Sequence, residues 1–122
     1  MVIGVDIVDI QRFKQVADRT PRMLNRIFTA AEVAYCQSKK DPYPSLAVRF
    51  AAKEAVRKLD RLMIEGVKFN EIEVVMDSYG KPGIVLHGQA KRNSVVLGIA
   101  EIFLSLSHDR NQAIAFTFMQ KG

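Results

Sequence analysis

The 122-residue sequence predicts an α+β domain with N-terminal helices packed on a mainly antiparallel sheet. Three observations predict it. A β-branched apolar run opens the chain, helix signals crowd the first half, and two hairpin patterns fill most of the second. This length suits one compact domain over residues 1–122, large enough to bury most of a core.

Taken in order, Val2 to Val8 reads as a buried strand, with Asp6 as its one misplaced residue. Asp9 can cap a helix from Ile10 toward Asp18, which Thr20-Pro21 breaks. A second short helix covers Arg22 to Phe28. Thr29-Ala30-Ala31-Glu32 has capping-box spacing, so a third helix starts there, and Asp41-Pro42-Tyr43-Pro44 stops it. Ser45 caps the longest helix, expected to run to about Leu62 before a loop around Gly66.

The period then changes. Phe69 to Asp77 and Gly83 to Leu86 flank the turn Ser78-Tyr79-Gly80-Lys81-Pro82 as a hairpin. A last helix spans Gly88 to Leu97, with Gly98 as its stop. Ile102 to Ser107 and Ala113 to Met119 form a second hairpin around Asp109-Arg110-Asn111.

Composition narrows the function classes. Hydrophobic residues make up 48% and charged residues 25%, an ordinary soluble balance. No apolar run reaches the roughly 20 residues of a membrane span. Met1 to Asp6 lacks the basic start of a secretory signal, so a cytoplasmic location is expected. Cys36 is the single cysteine, which rules out an internal disulfide and a thiolate metal cluster within one chain. Lys and Arg outnumber Asp and Glu by 18 to 13, which favours an anionic partner. Nucleic acid has little else behind it: Trp is absent, and no zinc spacing, Walker-type loop or GxGxxG fingerprint occurs.

On a helical wheel Ala51, Ala52, Ala55, Val56, Leu59 and Leu62 fall on one side. Arg49, Lys53, Glu54, Arg57 and Lys58 fall on the other. Four cations around one carboxylate suit a metal-bound phosphate better than a merely solvated face. Magnesium needs a further carboxylate, and Asp6, costly to bury unpaired, can supply it. Gly4 beside it allows a close backbone approach. Read alone, Asp6 suits a structural ion pair with an arginine equally well. Ser107-His108-Asp109 is no catalytic triad, since consecutive strand residues point to alternate faces. His108 suits a phosphate contact or a structural role, and His87 has no local partner. Arg12, Arg19, Arg22 and Arg26 offer positive charge to an acidic protein surface.

Together, Gly4-Val5-Asp6-Ile7-Val8-Asp9-Ile10, Arg12-Phe13, Arg49-Phe50-Ala51-Ala52-Lys53-Glu54-Ala55, Gly80-Lys81-Pro82 and Ser105-Leu106-Ser107-His108-Asp109 resemble the holo-acyl-carrier-protein synthase family across nearly the whole chain. The resemblance implies a 4'-phosphopantetheinyl transferase fold. It also implies a magnesium-dependent reaction in fatty acid biosynthesis, in which a serine hydroxyl of an apo acyl carrier protein attacks the β-phosphorus of coenzyme A. Asp6 and Glu54 become the metal ligands, and Glu54 and Lys53 the catalytic pair, with either Glu54 or a metal-bound water taking the proton. Lys53 and Lys58 would neutralise pyrophosphate oxygens, while Arg49 and His108 would meet the 3'-phosphate end of coenzyme A. Arg12, Arg22 and Arg26 become the docking surface for the carrier protein. A homotrimer with active sites between subunits is implied as well. The alternative is a non-catalytic nucleotide or acidic-protein binding module of the same fold. One departure stands out: where the family has a Gly-Thr-Gly type of loop, this chain reads Asp60-Arg61-Leu62-Met63-Ile64-Glu65-Gly66.

Overall fold

In the computed structural model, which describes residues 2–122, the opening run forms strand β1 (Val2–Asp9). Asp9 ends it by accepting the backbone N–H of Arg12 at 2.8 Å, which starts helix α1 (Ile10–Arg19). A single-turn helix α2 (Met23–Ile27) follows. Helix α3 (Ala30–Gln37) opens on the expected capping box: Thr29 Oγ accepts the N–H of Glu32, and the Glu32 carboxylate accepts that of Thr29.

Helix α4 (Tyr43–Arg57) departs from the expected bounds at both ends. It begins before Ser45 because Pro42 and Pro44 occupy first-turn positions whose N–H groups would have no partner. It ends five residues before Leu62 because the Asp60 carboxylate takes the N–H of Leu62 and starts a separate 3-10 turn, Arg61–Met63.

Beyond a second 3-10 turn (Phe69–Glu71), strands β2 (Ile72–Met76) and β3 (Pro82–Leu86) make a two-stranded hairpin. Helix α5 (Gly88–Leu97) closes at Gly98, whose φ of 71° is the left-handed stop predicted there. Strands β4 (Ile99–His108) and β5 (Gln112–Lys121) run longer than their patterns suggested. In the main sheet β5 lies between β1 and β4, antiparallel to both.

Small residues decide how α4 meets this sheet. Ala51, Ala52 and Ala55 press on Ala115, so helix and sheet backbones approach closely. At Gly4 the approach is tightest: a Cβ there would sit 2.1 Å from the carbonyl oxygen of Ala55. Thr117 completes the contact, its hydroxyl 3.1 Å from the same oxygen. One flank of the helix buries Leu46 and Val48 with Phe13 and Phe28. The other buries Val56, Leu59 and Met63 with Ile72 and Met119, each large side chain contributing about 1.5–3 kcal/mol.

Two features of the helix wheel need correction. Arg49 and Lys53 are buried, so the polar stripe of α4 narrows to Glu54, Arg57 and Lys58. The wheel cannot know that α3 and the β2 hairpin cover that side. On the main sheet's outer face, Ile3, Val5, Ile7, Phe103, Ile114 and Phe116 remain 40–55% exposed.

Candidate active site

Because β1 crosses α4 at Gly4, Asp6 emerges two residues later beside the helix C-terminus. Its side chain is 18% exposed and meets the Lys58 ammonium at 3.0 Å. Lys58 also donates to the carbonyl oxygen of Val5 at 2.8 Å. Glu54, one turn earlier on α4, is 30% exposed and lies 3.9 Å from Arg57. That guanidinium stacks over the Phe69 ring at 4.4 Å. Asp6 and Glu54 line one open cleft of about 650 Å³ with Asp9, Arg12, Phe13 and Phe50. The structure therefore brings together the two predicted metal ligands, one predicted docking residue and, through Asp6, Lys58.

Arg49 and His108 share a different cavity, of about 420 Å³, with Tyr35, Lys39 and Asp41. Arg49 stacks on Tyr35 at 4.5 Å and donates to the carbonyl oxygen of Ser45 at 3.1 Å, but its buried Nε has no hydrogen-bond partner among the described residues. His108 ends β4, exposed. Asp109 does not orient it, because that carboxylate accepts the N–H groups of Asn111 and Gln112 in the hairpin turn. These hydrogen bonds hold the Asp109 carboxyl below the usual carboxylate range.

Lys53 does not reach the cleft, contrary to its expected contact with pyrophosphate. Its fully buried ammonium donates to Glu32 at 2.8 Å and to the backbone oxygens of Phe69 and Ile72, which occupies all three N–H groups. Burial pulls its pKa below the ordinary lysine value, outweighing the raising effect of Glu32. Glu32 also takes the N–H of Val74. Nearby Glu73 accepts from Thr29 at 2.8 Å and pairs with His87 at 2.9 Å. Sequence reasoning missed this network. Only the capping box pointed toward it, and that explains one bond of Glu32.

Arg22 and Arg26 sit exposed at the two ends of α2, whose Met23 also lines the carboxylate cleft. At the departure loop, Met63 is buried and the Asn93 amide donates to the carbonyl oxygens of Leu62 and Glu65. Side-chain contacts hold this segment, and Gly66, with φ 71°, is its single left-handed residue.

The residues fit a hard cation. Two partly buried carboxylates offer oxygen donors, and among the described residues no group of three or more His, Cys, Asp and Glu gathers as a metal cluster. Magnesium ordinarily takes one or two carboxylates and completes its shell with phosphate oxygens and water. Fold and cleft together thus define a small α+β protein equipped to hold an anionic ligand beside a carboxylate pair.

The family model of the 4'-phosphopantetheinyl transferase superfamily matches residues 2–117. The holo-[acyl-carrier-protein] synthase of Geotalea daltonii is 44% identical over 97% of this chain and 96% of its own. That of Caldanaerobacter subterraneus subsp. tengcongensis is 41% identical over 98% and 94%. Among solved structures, the ACPS–CoA complex of Chronobacterium ammoniagenes superposes with a TM-score of 0.86 at 29% identity, covering 99% of this chain and 97% of that one. The chain belongs to this superfamily and is an enzyme of its holo-[acyl-carrier-protein] synthase type.

Proposed function

We propose that the chain, acting as one domain over residues 1–122, transfers 4'-phosphopantetheine from coenzyme A to a serine of an apo acyl carrier protein. The Asp6–Glu54 cleft carries this reading. The serine oxygen forms a bond to the β-phosphorus of coenzyme A while the bridging P–O bond breaks, which releases adenosine 3',5'-bisphosphate. Asp6 and Glu54 would hold magnesium, which when bound neutralises pyrophosphate oxygens and fixes their orientation. Glu54, the more exposed of the two, stands as the acceptor for the serine proton. Lys58, half-exposed beside Asp6, is the cation within reach of the pyrophosphate. The burial of Lys53 removes it from that role and leaves it as the strut under the helix segment that carries Glu54.

Arg49 and His108 would receive the 3'-phosphate end of coenzyme A. The unpartnered Nε of Arg49 supports this, because a buried guanidinium donor is costly until an anion accepts from it. Within one chain the carboxylate cleft and the Arg49 cavity are separate. Together with the exposed apolar sheet face, that separation supports a homotrimer with active sites formed between subunits. Arg12, Arg22 and Arg26 would dock the acidic carrier protein.

Among the described residues no helix is long and apolar enough to cross a membrane. The proposal puts the enzyme in the cytoplasm, serving fatty acid biosynthesis. Incubating an apo carrier protein with coenzyme A, magnesium and this protein should add one phosphopantetheine mass per carrier chain. Absence of that gain would overturn the proposal.

A further inference from the structure

Arg57 and Lys58, adjacent in sequence, each face one carboxylate of the cleft. They are held very differently. Arg57 is clamped on Phe69 and stands 3.9 Å from Glu54, a distance that leaves the carboxylate free to bind elsewhere. Lys58 is 51% exposed, has no aromatic clamp, and makes direct bonds to Asp6 and to the carbonyl oxygen of Val5. Asp6, mostly screened from water, needs a counter-charge. Lys58 provides it.

We infer that Lys58 is a positioning residue that changes partners, neutralising Asp6 in the metal-free protein and a phosphate of coenzyme A in the metal-loaded one. This rests on the metal and substrate reading given above. A divalent cation on Asp6 repels the ammonium and competes for its acceptor. Lysine's flexible four-carbon stem lets the charge move without disturbing α4. A phosphate arriving at the same cleft gives it a new partner. Metal and coenzyme A therefore each favour the released position of Lys58, and each should tighten binding of the other by the same factor.

Mn2+ titrations of wild type, Lys58→Met and Asp6→Asn, with and without coenzyme A and in the absence of carrier protein, test this through the electron paramagnetic resonance signal of free Mn2+. Without coenzyme A, Lys58→Met should bind Mn2+ about threefold or more tightly than wild type, the scale of an exposed ion pair. Its further tightening on adding coenzyme A should be smaller than in wild type. Unchanged Mn2+ affinity, or an undiminished effect of coenzyme A, would overturn the partner change while leaving the metal site standing. Mn2+ binding that Asp6→Asn leaves intact would overturn the metal site, and the partner change with it.

Discussion

Lys53 and Glu32 meet at 2.8 Å with both side chains closed to solvent, joining the helix of the cleft to helix α3. Removing one member strands a buried charge. Lys53→Met should cost about 3–5 kcal/mol, and adding Glu32→Leu should recover only part of the loss, since the apolar pair removes the stranded charge but leaves the backbone partners of both side chains, at Phe69, Ile72 and Val74, without a hydrogen bond. Chemical denaturation of the two single variants and the double variant checks this. Equal stability of wild type and Lys53→Met would show that the pair carries no such role.

Gly4→Ala should lower stability by about 1–3 kcal/mol, because the new methyl cannot fit against Ala55 unless β1 moves off α4. That movement carries Asp6 with it, so transfer should fall further than the loss of folded protein explains. Thermal denaturation and activity at a temperature where both proteins are folded separate the two effects.

Asp6→Asn and Glu54→Gln should each reduce phosphopantetheine transfer by about a thousandfold, the equivalent of about 4 kcal/mol of charge stabilisation. Neither carboxylate is fully buried, and each replacement keeps the side-chain shape, so stability should change little. Steady-state assays at saturating magnesium, alongside melting curves, read both quantities. Activity within tenfold of wild type in either variant argues against the assignment.

Arg22→Glu and Arg26→Glu should raise the KM for the carrier protein about tenfold at low salt and flatten its rise with ionic strength. Both residues are exposed, so the fold tolerates the change. Kinetics at two salt concentrations give the answer, and KM values equal to wild type at low salt would remove α2 from the docking surface.

Acid should loosen the contact between α3 and the β2 hairpin. Burial raises the Glu73 pKa, but hydrogen bonds from His87 and Thr29 outweigh it and hold the group below its usual 4.5. A depressed folded-state pKa gives stability that is complete above 4.5 and fades as pH falls through the folded value. Glu73→Gln should therefore be less stable than wild type near neutrality, with the difference shrinking below pH 4.5. Denaturation at a series of pH values measures it.

Three helix boundaries were legible because each rests on a few adjacent residues: Asp9 before α1, Thr29 with Glu32 before α3, Gly98 after α5. Asp6 and Glu54 were legible as residues out of keeping with their surroundings, a carboxylate in an apolar strand and one among four cations. Lys53 was misread for a physical reason. A wheel sorts side chains by angle alone, and the elements that cover Lys53 come from α3, Phe69 and Ile72, at least 16 residues away in sequence. The Glu73–His87 pair was invisible on the same ground, since 14 residues and a hairpin separate its members.

Strand β1 turns Gly4, Asp6 and Val8 toward α4 and Ile3, Val5 and Ile7 outward. A deletion or insertion of one residue anywhere in its first half would exchange the two sets. The carboxylate would leave the cleft in the same event that brought isoleucine into it. Substitutions in this strand can affect chemistry or surface separately, but changes in its length cannot, so among variants of this enzyme β1 should keep its residue count even where its identities drift.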